Sequence, residues 1–325
     1  MTEQTVRAQR TACDPALVRS DRRVHAAGII LVLGLVAVSL GLGLLFLRRG
    51  PVEWHRMGGL LLVGTVGLAA ANFCHAALTR SVRDALLLFG LAFGLSLAAE
   101  YAGVRWNAAF GFRYRYHPGI RPQLLGVVPL FIPVGWFALG YLPLVFLTGL
   151  FRHTRSAWRL AVKAAFCALC LVAQDLMIEP LAVSAGAWTW VPSGRYFGAP
   201  VVNFASWFLV GLAIHGAYLA LGGERHVREG PDVRLLDTTH VALSVVYVAV
   251  GLAAVTLRTH SALPALLTLL GMGPYWAYWL SRRGGRGHLW RPDPVGRGKA
   301  SPRPRSSSSP ERGRATWPRG AAGRR

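Results

Sequence analysis

Apolar stretches recur along the chain and alternate with short segments rich in polar residues, glycine and proline. A helix needs about 20 apolar residues to cross the hydrocarbon core of a bilayer, and each stretch is close to this length. The pattern predicts an all-α integral membrane protein with about eight transmembrane helices, near 27–47, 58–78, 85–102, 125–151, 158–182, 200–221, 240–257 and 262–280. The alternative for the last two stretches is a single re-entrant pair.

Two polar ends flank this predicted membrane domain, which covers residues 27–281. Residues 1–26 form a basic arm with five arginines. The first apolar stretch runs into Arg48 and Arg49 without a small-residue cleavage site, which predicts an anchor rather than a signal peptide. Residues 282–325 are rich in Arg, Pro, Ser and Gly and cannot bury a core, so we predict a disordered basic tail.

The formal net charge of +22 raises the question of a nucleic-acid partner. From Arg282 onward, however, thirteen basic residues stand against two carboxylates, so the tail alone carries half of that charge. We expect it to be attracted to anionic lipid headgroups and predict no nucleic-acid partner. An even number of spans places both basic ends in the cytoplasm of a multi-pass cell-membrane protein, as the positive-inside rule requires. The external loop 103–124, with four arginines, is an exception.

Composition and motifs restrict the class of protein and the kinds of reaction that the chain can carry out. Hydrophobic residues make up 53% of the chain and charged residues 15%, which excludes an ordinary soluble domain. Cys167 and Cys170 form a CxxC within an apolar run, which favours helix packing over a redox or metal site. The ten histidines are scattered, and His75 and His215 are expected to pack or to form hydrogen bonds. No dinucleotide or P-loop motif occurs, so we predict chemistry without a cofactor or a metal.

Three carboxylates lie within or at the ends of apolar spans, whereas the other eleven, Asp84 among them, are assigned to the arms, loops or tail. The three are Glu100, Asp175 and Glu179. An ionisable group in a span costs about 2.5–3.5 kcal/mol on insertion, which makes each a candidate functional residue. The predicted topology brings all three to the external side of the membrane, and we expect them to be catalytic.

Asp175 and Glu179 are four residues apart and therefore share one helix face, just before Pro180. Two carboxylates this close in a low dielectric cannot both ionise cheaply, so one is expected to keep its proton and to act as a general acid. The alternative is that Arg113 or Arg195 neutralises the pair, which then only braces the bundle.

A similar pattern follows Glu100 and Glu179: a loop rich in glycine, arginine and aromatic residues, and then a span that opens with proline. This weak internal repeat predicts the entrance for a lipid-like ligand, whereas an interfacial aromatic belt explains only part of it. For Asn203 an interhelical hydrogen bond is an equal alternative to ligand binding. The candidate substrate-binding residues are Arg113, Tyr114, Tyr116, Trp136, Trp188, Trp190, Arg195, Tyr196 and Asn203.

The segment Asp175-Leu-Met-Ile-Glu179-Pro180, followed by Gly-Ala-Trp-Thr-Trp at 186–190 and Arg-Tyr-Phe-Gly-Ala-Pro-Val-Val-Asn-Phe at 195–204, resembles the membrane carotenoid hydratases. That family includes bisanhydrobacterioruberin hydratase and the gamma-carotene 1'-hydroxylase type. The block from Glu100 to Trp136 matches too, and the resemblance covers about residues 58–280. It implies that water is added across the terminal double bond of an acyclic carotenoid to give a tertiary alcohol. The partners it implies are this carotenoid, membrane lipids and other enzymes of carotenoid biosynthesis.

Three other functions compete with hydration. Cyclisation of a carotenoid end group uses the same protonation but adds no oxygen. A membrane prenyltransferase is suggested by Asp175-x-x-x-Glu179, but that class holds magnesium diphosphate with two acidic motifs and the chain has one. A carotenoid-binding membrane protein without catalysis needs the aromatic loops but not the carboxylates.

Overall fold

The computed structural model describes residues 52–106, 111–151, 154 and 156–283. The basic arm, the first predicted span and the tail after Arg283 lie outside these residues. The described part contains seven helices: α1 (Trp54–Thr79), α2 (Val82–Trp106), α3 (Phe131–Phe146), α4 (Ala157–Ala185), α5 (Val201–Ala220), α6 (Pro231–Thr259) and α7 (Leu263–Arg283). These helices correspond one by one to the second to eighth predicted spans, which confirms the helical class of fold.

Five of these helices, α1, α2, α4, α5 and α6, are long and apolar enough to cross a membrane. Of the other two in the described part, α3 is apolar but has only 16 residues, and α7 has 21 residues but does not reach the same apolar character. The structure therefore supports five of the eight predicted spans.

Helix α3 begins at Phe131, whereas the predicted span begins at residue 125. Two short strands, β2 (Gln123–Leu124) and β3 (Val128–Pro129), pair there as an antiparallel hairpin. The turn between them places Leu125 at φ 50° and Gly126 at φ 74°, which no right-handed helix allows. The helix consequently starts only at Phe131.

Helix α4 lies at the centre of the bundle and packs against α3, α5, α6 and α7. Its buried side includes Cys167 and Cys170, which are free thiols. The Cys170 sulfur lies 3.7 Å from the sulfur of Met272 on α7. Both cysteines thus serve as small packing residues between helices, as the sequence predicts.

Two more strands, β1 (Arg113–Tyr116) and β4 (Trp188–Val191), form an antiparallel pair in which Tyr114 is opposite Trp190 and Tyr116 is opposite Trp188. Side chains alternate along a strand, so these four aromatic residues share one face. Gly186 ends α4 in the left-handed conformation, at φ 75°, and its N–H donates to the Val183 carbonyl. This turn starts β4 immediately after the helix.

One carboxylate that the sequence assigns to a loop, Asp84, is buried in a helix instead, whereas Glu224 does lie in the turn after α5 and is partly buried. Asp84 lies in the first turn of α2, because the helix begins at Val82 rather than near residue 85. Glu224, just after α5, forms ion pairs with Lys163 and, at 3.3 Å, with Arg80. Burial raises the pKa of Glu224, but the two cations outweigh it and hold the pKa below its usual range.

Candidate active site

A cavity of about 180 Å³ lies between the helices beneath the β1–β4 pair. Its wall is mostly apolar, with side chains such as Leu61, Ile132 and Met177. Two carboxylates also line it, Glu100 from α2 and Glu179 from α4. The fold thus brings together two acidic residues that are 79 positions apart in the sequence, as the predicted topology expects.

Glu179 is buried, and the hydrogen bonds that it accepts from described residues are all on one carboxylate oxygen. The indole nitrogens of Trp188 and Trp190 both donate to Oε1, at 2.9 Å and 2.6 Å. Oε2 has no hydrogen-bond partner among the described residues. Because Glu179 lines the cavity, Oε2 is the oxygen that is left for a ligand or a proton.

Glu100 is bound on both of its oxygens. The phenol groups of Tyr114 and Tyr116 donate to Oε2 at 2.6 Å and 2.7 Å, and the Trp136 indole donates to Oε1 at 3.2 Å. Burial raises the pKa of both tyrosines, and the neighbouring Glu100 raises it further, so the phenols keep their protons and remain donors. These three donors replace water around a carboxylate.

Asp175 is fully buried but does not line the cavity. Its Oδ2 accepts a hydrogen bond of 2.9 Å from Asn203 Nδ2, which joins α4 to α5. The interhelical hydrogen bond that the sequence offered for Asn203 is therefore present, and Asn203 also lines the cavity. Asp175 is thus linked to the cavity wall through Asn203. Its other oxygen, Oδ1, has no hydrogen-bond partner within the described part of the chain.

Arg113 and Arg195 are exposed, and neither lines the cavity. Within the described residues, neither forms an ion pair with Asp175 or Glu179, so the structure does not contain the predicted alternative of an arginine-neutralised pair. The orientation of Arg113 follows from strand alternation, since Tyr114 points inward.

Six of the nine predicted substrate-binding residues line the cavity: Tyr114, Tyr116, Trp136, Trp188, Trp190 and Asn203. Tyr196, like the two arginines, does not. Its hydroxyl donates instead to the Leu176 carbonyl at 2.8 Å, which fixes the loop after β4 against α4.

The repeated sequence pattern has a structural counterpart. Glu100 and Glu179 each accept hydrogen bonds from the strand that follows them, and these two strands pair with each other. The helices after the strands meet through Trp136 and Trp207, whose rings stack at 4.2 Å with an interplanar angle of 24°. Both halves of the pattern therefore contribute equivalent parts to one cavity.

Several cavity residues were not predicted from the sequence. Trp207 had a signal, because it lies four residues after Asn203 on the same helix face. No sequence signal identified Trp54 on α1, or Tyr247 and Gly251 on α6. Neither helix carries a residue that was predicted to be catalytic or substrate-binding.

Helices long and apolar enough to cross a membrane surround a mostly apolar cavity with hydrogen-bonded carboxylates in its wall, which defines the class as membrane proteins with an internal cavity. The chain belongs to the family of carotenoid biosynthesis proteins, whose model matches residues 58–274. This confirms the resemblance seen in the sequence.

One curated relative is the bisanhydrobacterioruberin hydratase of Haloarcula japonica, which is 31% identical over 119 residues. The match covers 36% of this chain and 38% of the relative, so it spans well under half of either protein. No solved structure matches the chain significantly.

Proposed function

We propose that the protein adds water across the terminal double bond of an acyclic carotenoid and so forms a tertiary alcohol. Membership of the carotenoid biosynthesis family supports the substrate class, and the similarity to a protein named as a hydratase supports the reaction. The observation that carries the proposal is the pair of carboxylates, Glu100 and Glu179, in the wall of one apolar cavity.

Glu179 is the proposed proton donor. Both indole donors bind its Oε1, as they would bind the carbonyl oxygen of a neutral carboxylic acid, which leaves Oε2 to carry the proton toward the cavity. Transfer of this proton to the alkene leaves a tertiary cation at the branched carbon.

Glu100 is the proposed base. It accepts hydrogen bonds on both oxygens, an arrangement suited to a carboxylate, and takes a proton from the water that captures the cation. Asp175 has the proposed role of positioning Asn203 in the cavity wall.

The aromatic wall stabilises the cation in this proposal. The faces of Trp, Tyr and Phe attract positive charge, and a desolvated cation–π contact contributes about 2 kcal/mol or more. Trp136, Trp207 and Trp188 all line the cavity, so a cation formed there has indole rings on more than one side.

Expression of the chain in a lycopene-producing host tests the proposal. We expect a carotenoid that has gained the mass of one or two waters, and no such product from a host with Glu179→Gln at equal membrane abundance. A cyclised product without added oxygen would instead favour the end-group cyclase. Unchanged lycopene bound to the purified protein would favour a carotenoid-binding protein.

We also propose that the protein is a multi-pass protein of the cell membrane with both termini in the cytoplasm, on the basis of its apolar helices and its basic ends. Reporter fusions before residue 27 and after Arg283 should both report the cytoplasm. A split result would overturn this orientation.

A further inference from the structure

A smaller chamber of about 30 Å³ lies beside the cavity. The polar residues that line this chamber are Asn72, Gln174, His240 and Ser244. Four apolar or aromatic residues line both spaces, namely Leu68, Ala138, Leu139 and Tyr247. The two spaces therefore adjoin, and a small molecule in the chamber lies next to a ligand in the cavity.

The chamber lies deeper in the bundle than the sheet. On α1, the stripe Leu61, Thr65, Leu68 and Asn72 runs from the cavity into the chamber over eleven residues, or about 17 Å of helix. On α4, Gln174 is five residues from Glu179, about 7.5 Å along the axis. At this separation, one end group of a carotenoid can contact both the chamber and Glu179, the proposed proton donor.

Gln174 offers an acceptor to the chamber. Its Nε2 faces the carbonyl oxygens of Leu139 and Cys170, at 3.4 Å and 3.3 Å. Because carbonyl oxygens only accept hydrogen bonds, the amide nitrogen must be on that side. Oε1 is then buried, with no hydrogen-bond partner among the described residues.

His240 offers a second acceptor. Asn72 donates its Nδ2 to the Ala138 carbonyl at 2.7 Å, so its Oδ1 accepts from His240 Nε2 at 2.9 Å. A neutral imidazole with its proton on Nε2 has a lone pair on Nδ1. That Nδ1 is buried, and it too lacks a hydrogen-bond partner in the described part of the chain.

Two buried acceptors without donors are costly unless a ligand supplies the donors. Water has two O–H donors, and a space of this volume beside polar side chains holds about one or two water molecules. We propose that the chamber binds ordered water through Gln174 and His240, and that this water supplies the oxygen that is added to the alkene. The second part rests on the proposed hydration.

The step balances without an oxidant or reductant. The O–H bond of Glu179 breaks and a C–H bond forms on the alkene, which leaves the positive charge on the tertiary carbon. A lone pair of the chamber water then forms the C–O bond. The resulting oxonium gives one proton to Glu100, and proton transfer from Glu100 to Glu179 restores the starting state.

The test separates protonation from capture of the cation. Membranes with the protein are incubated with lycopene in deuterated water, where a cation that is not captured loses a proton and returns as deuterated alkene. For Gln174→Leu, which keeps the size of the side chain but removes the acceptor, we expect the ratio of alcohol to deuterated alkene to fall roughly tenfold or more, as for the loss of a buried hydrogen bond.

Gln123→Leu makes the same chemical change in β2, away from the chamber, and should leave the ratio at the wild-type value. Ser244→Leu fills the chamber from α6 and should lower the ratio like Gln174→Leu, which keeps the test decisive if one variant does not fold. A ratio that stays at the wild-type value, whether or not both products fall in amount, overturns the role of the chamber. A wild-type protein that makes no alcohol overturns the proposed function as well.

Discussion

Glu100 and Glu179 are the same residue type in the same cavity, but their hydrogen bonds differ. Glu100 accepts on both oxygens, from two phenols and an indole, whereas Glu179 accepts two indole N–H groups on one oxygen. Protonation of an alkene followed by addition of water needs one acid and one base. Different hydrogen-bonding environments allow two residues of the same type to take these two roles.

The first prediction concerns the proton donor. Glu179→Gln keeps the shape of the side chain and an oxygen for the indoles but removes the proton. Hydration should fall by about 100- to 10,000-fold, the usual contribution of a positioned acid or base. Product formation in membranes, normalised to the amount of protein, measures it. Asp232→Asn, an exposed carboxylate in the first turn of α6, is the matched control and should retain activity.

The second prediction concerns Asp175, which contacts Asn203 rather than the cavity. Asp175→Asn retains an oxygen that can accept from Asn203, so most activity should remain. Asp175→Ala removes the acceptor and should lower activity roughly tenfold, as expected for one lost buried hydrogen bond. Equal and complete loss in both variants, at normal membrane levels, would show that Asp175 itself transfers a proton.

At the scale of elements, the β1–β4 pair holds both cavity glutamates, because each of its strands supplies hydrogen-bond donors to one of them. The close approach of β1 to α2 depends on Gly103. A Cβ atom there would lie 2.7 Å from the Cε1 and hydroxyl oxygen of Tyr114, too close for any side chain.

The third prediction follows from that contact. Gly103→Ala should push the Tyr114 ring away from Glu100 and lower hydration by roughly tenfold or more, since Glu100 loses a charge-assisted hydrogen bond. Gly94→Ala changes the same helix where no atom lies within 4 Å. It should leave activity intact and stabilise α2 by about 0.5–1 kcal/mol. Activity assays and thermal denaturation in detergent distinguish the two variants.

The sequence predicted these elements unevenly. Helix positions followed from apolar length, whereas the all-α prediction did not include the short strands such as β1 at Arg113–Tyr116. Pairing of β1 with β4 joins residues 72 to 78 positions apart, and local pattern does not specify such a contact. Gln174 and Tyr247 were missed for a similar reason, because nothing within one apolar helix indicates which neighbour it will face.

Across the whole molecule, a buried ionic cluster lies at the end of α1 opposite Trp54 and the cavity. Arg80 is buried and donates to the Tyr141 hydroxyl at 2.7 Å and the Leu144 carbonyl at 3.0 Å. Glu224 bridges Arg80 and Lys163, so a segment after α5 is tied to α1 and α4. Removing one partner of such a cluster leaves buried charge uncompensated.

The fourth prediction concerns this cluster. Glu224→Gln should destabilise the protein by about 3–5 kcal/mol at neutral pH, because Arg80 and Lys163 lose their counter-charge. Since the pKa of Glu224 is lowered in the folded protein, its stabilisation is complete above the ordinary glutamate pKa, about 4.3, and is lost as the pH falls through the lowered value. Thermal inactivation in detergent should show this acid-side loss in the wild type and not in the variant.

Both glutamates of the cavity lie beneath the β1–β4 pair, and in the described residues the wall of the adjoining chamber has no carboxylate. In the proposed reaction, a linear carotenoid with two identical ends therefore presents one end at a time to the proton donor. To react at the second end, it has to leave, reverse its direction in the bilayer and enter again. A time course should show the singly hydrated molecule accumulating first and free to exchange with other chains, so that the doubly hydrated form lags behind it and depends on the ratio of substrate to enzyme.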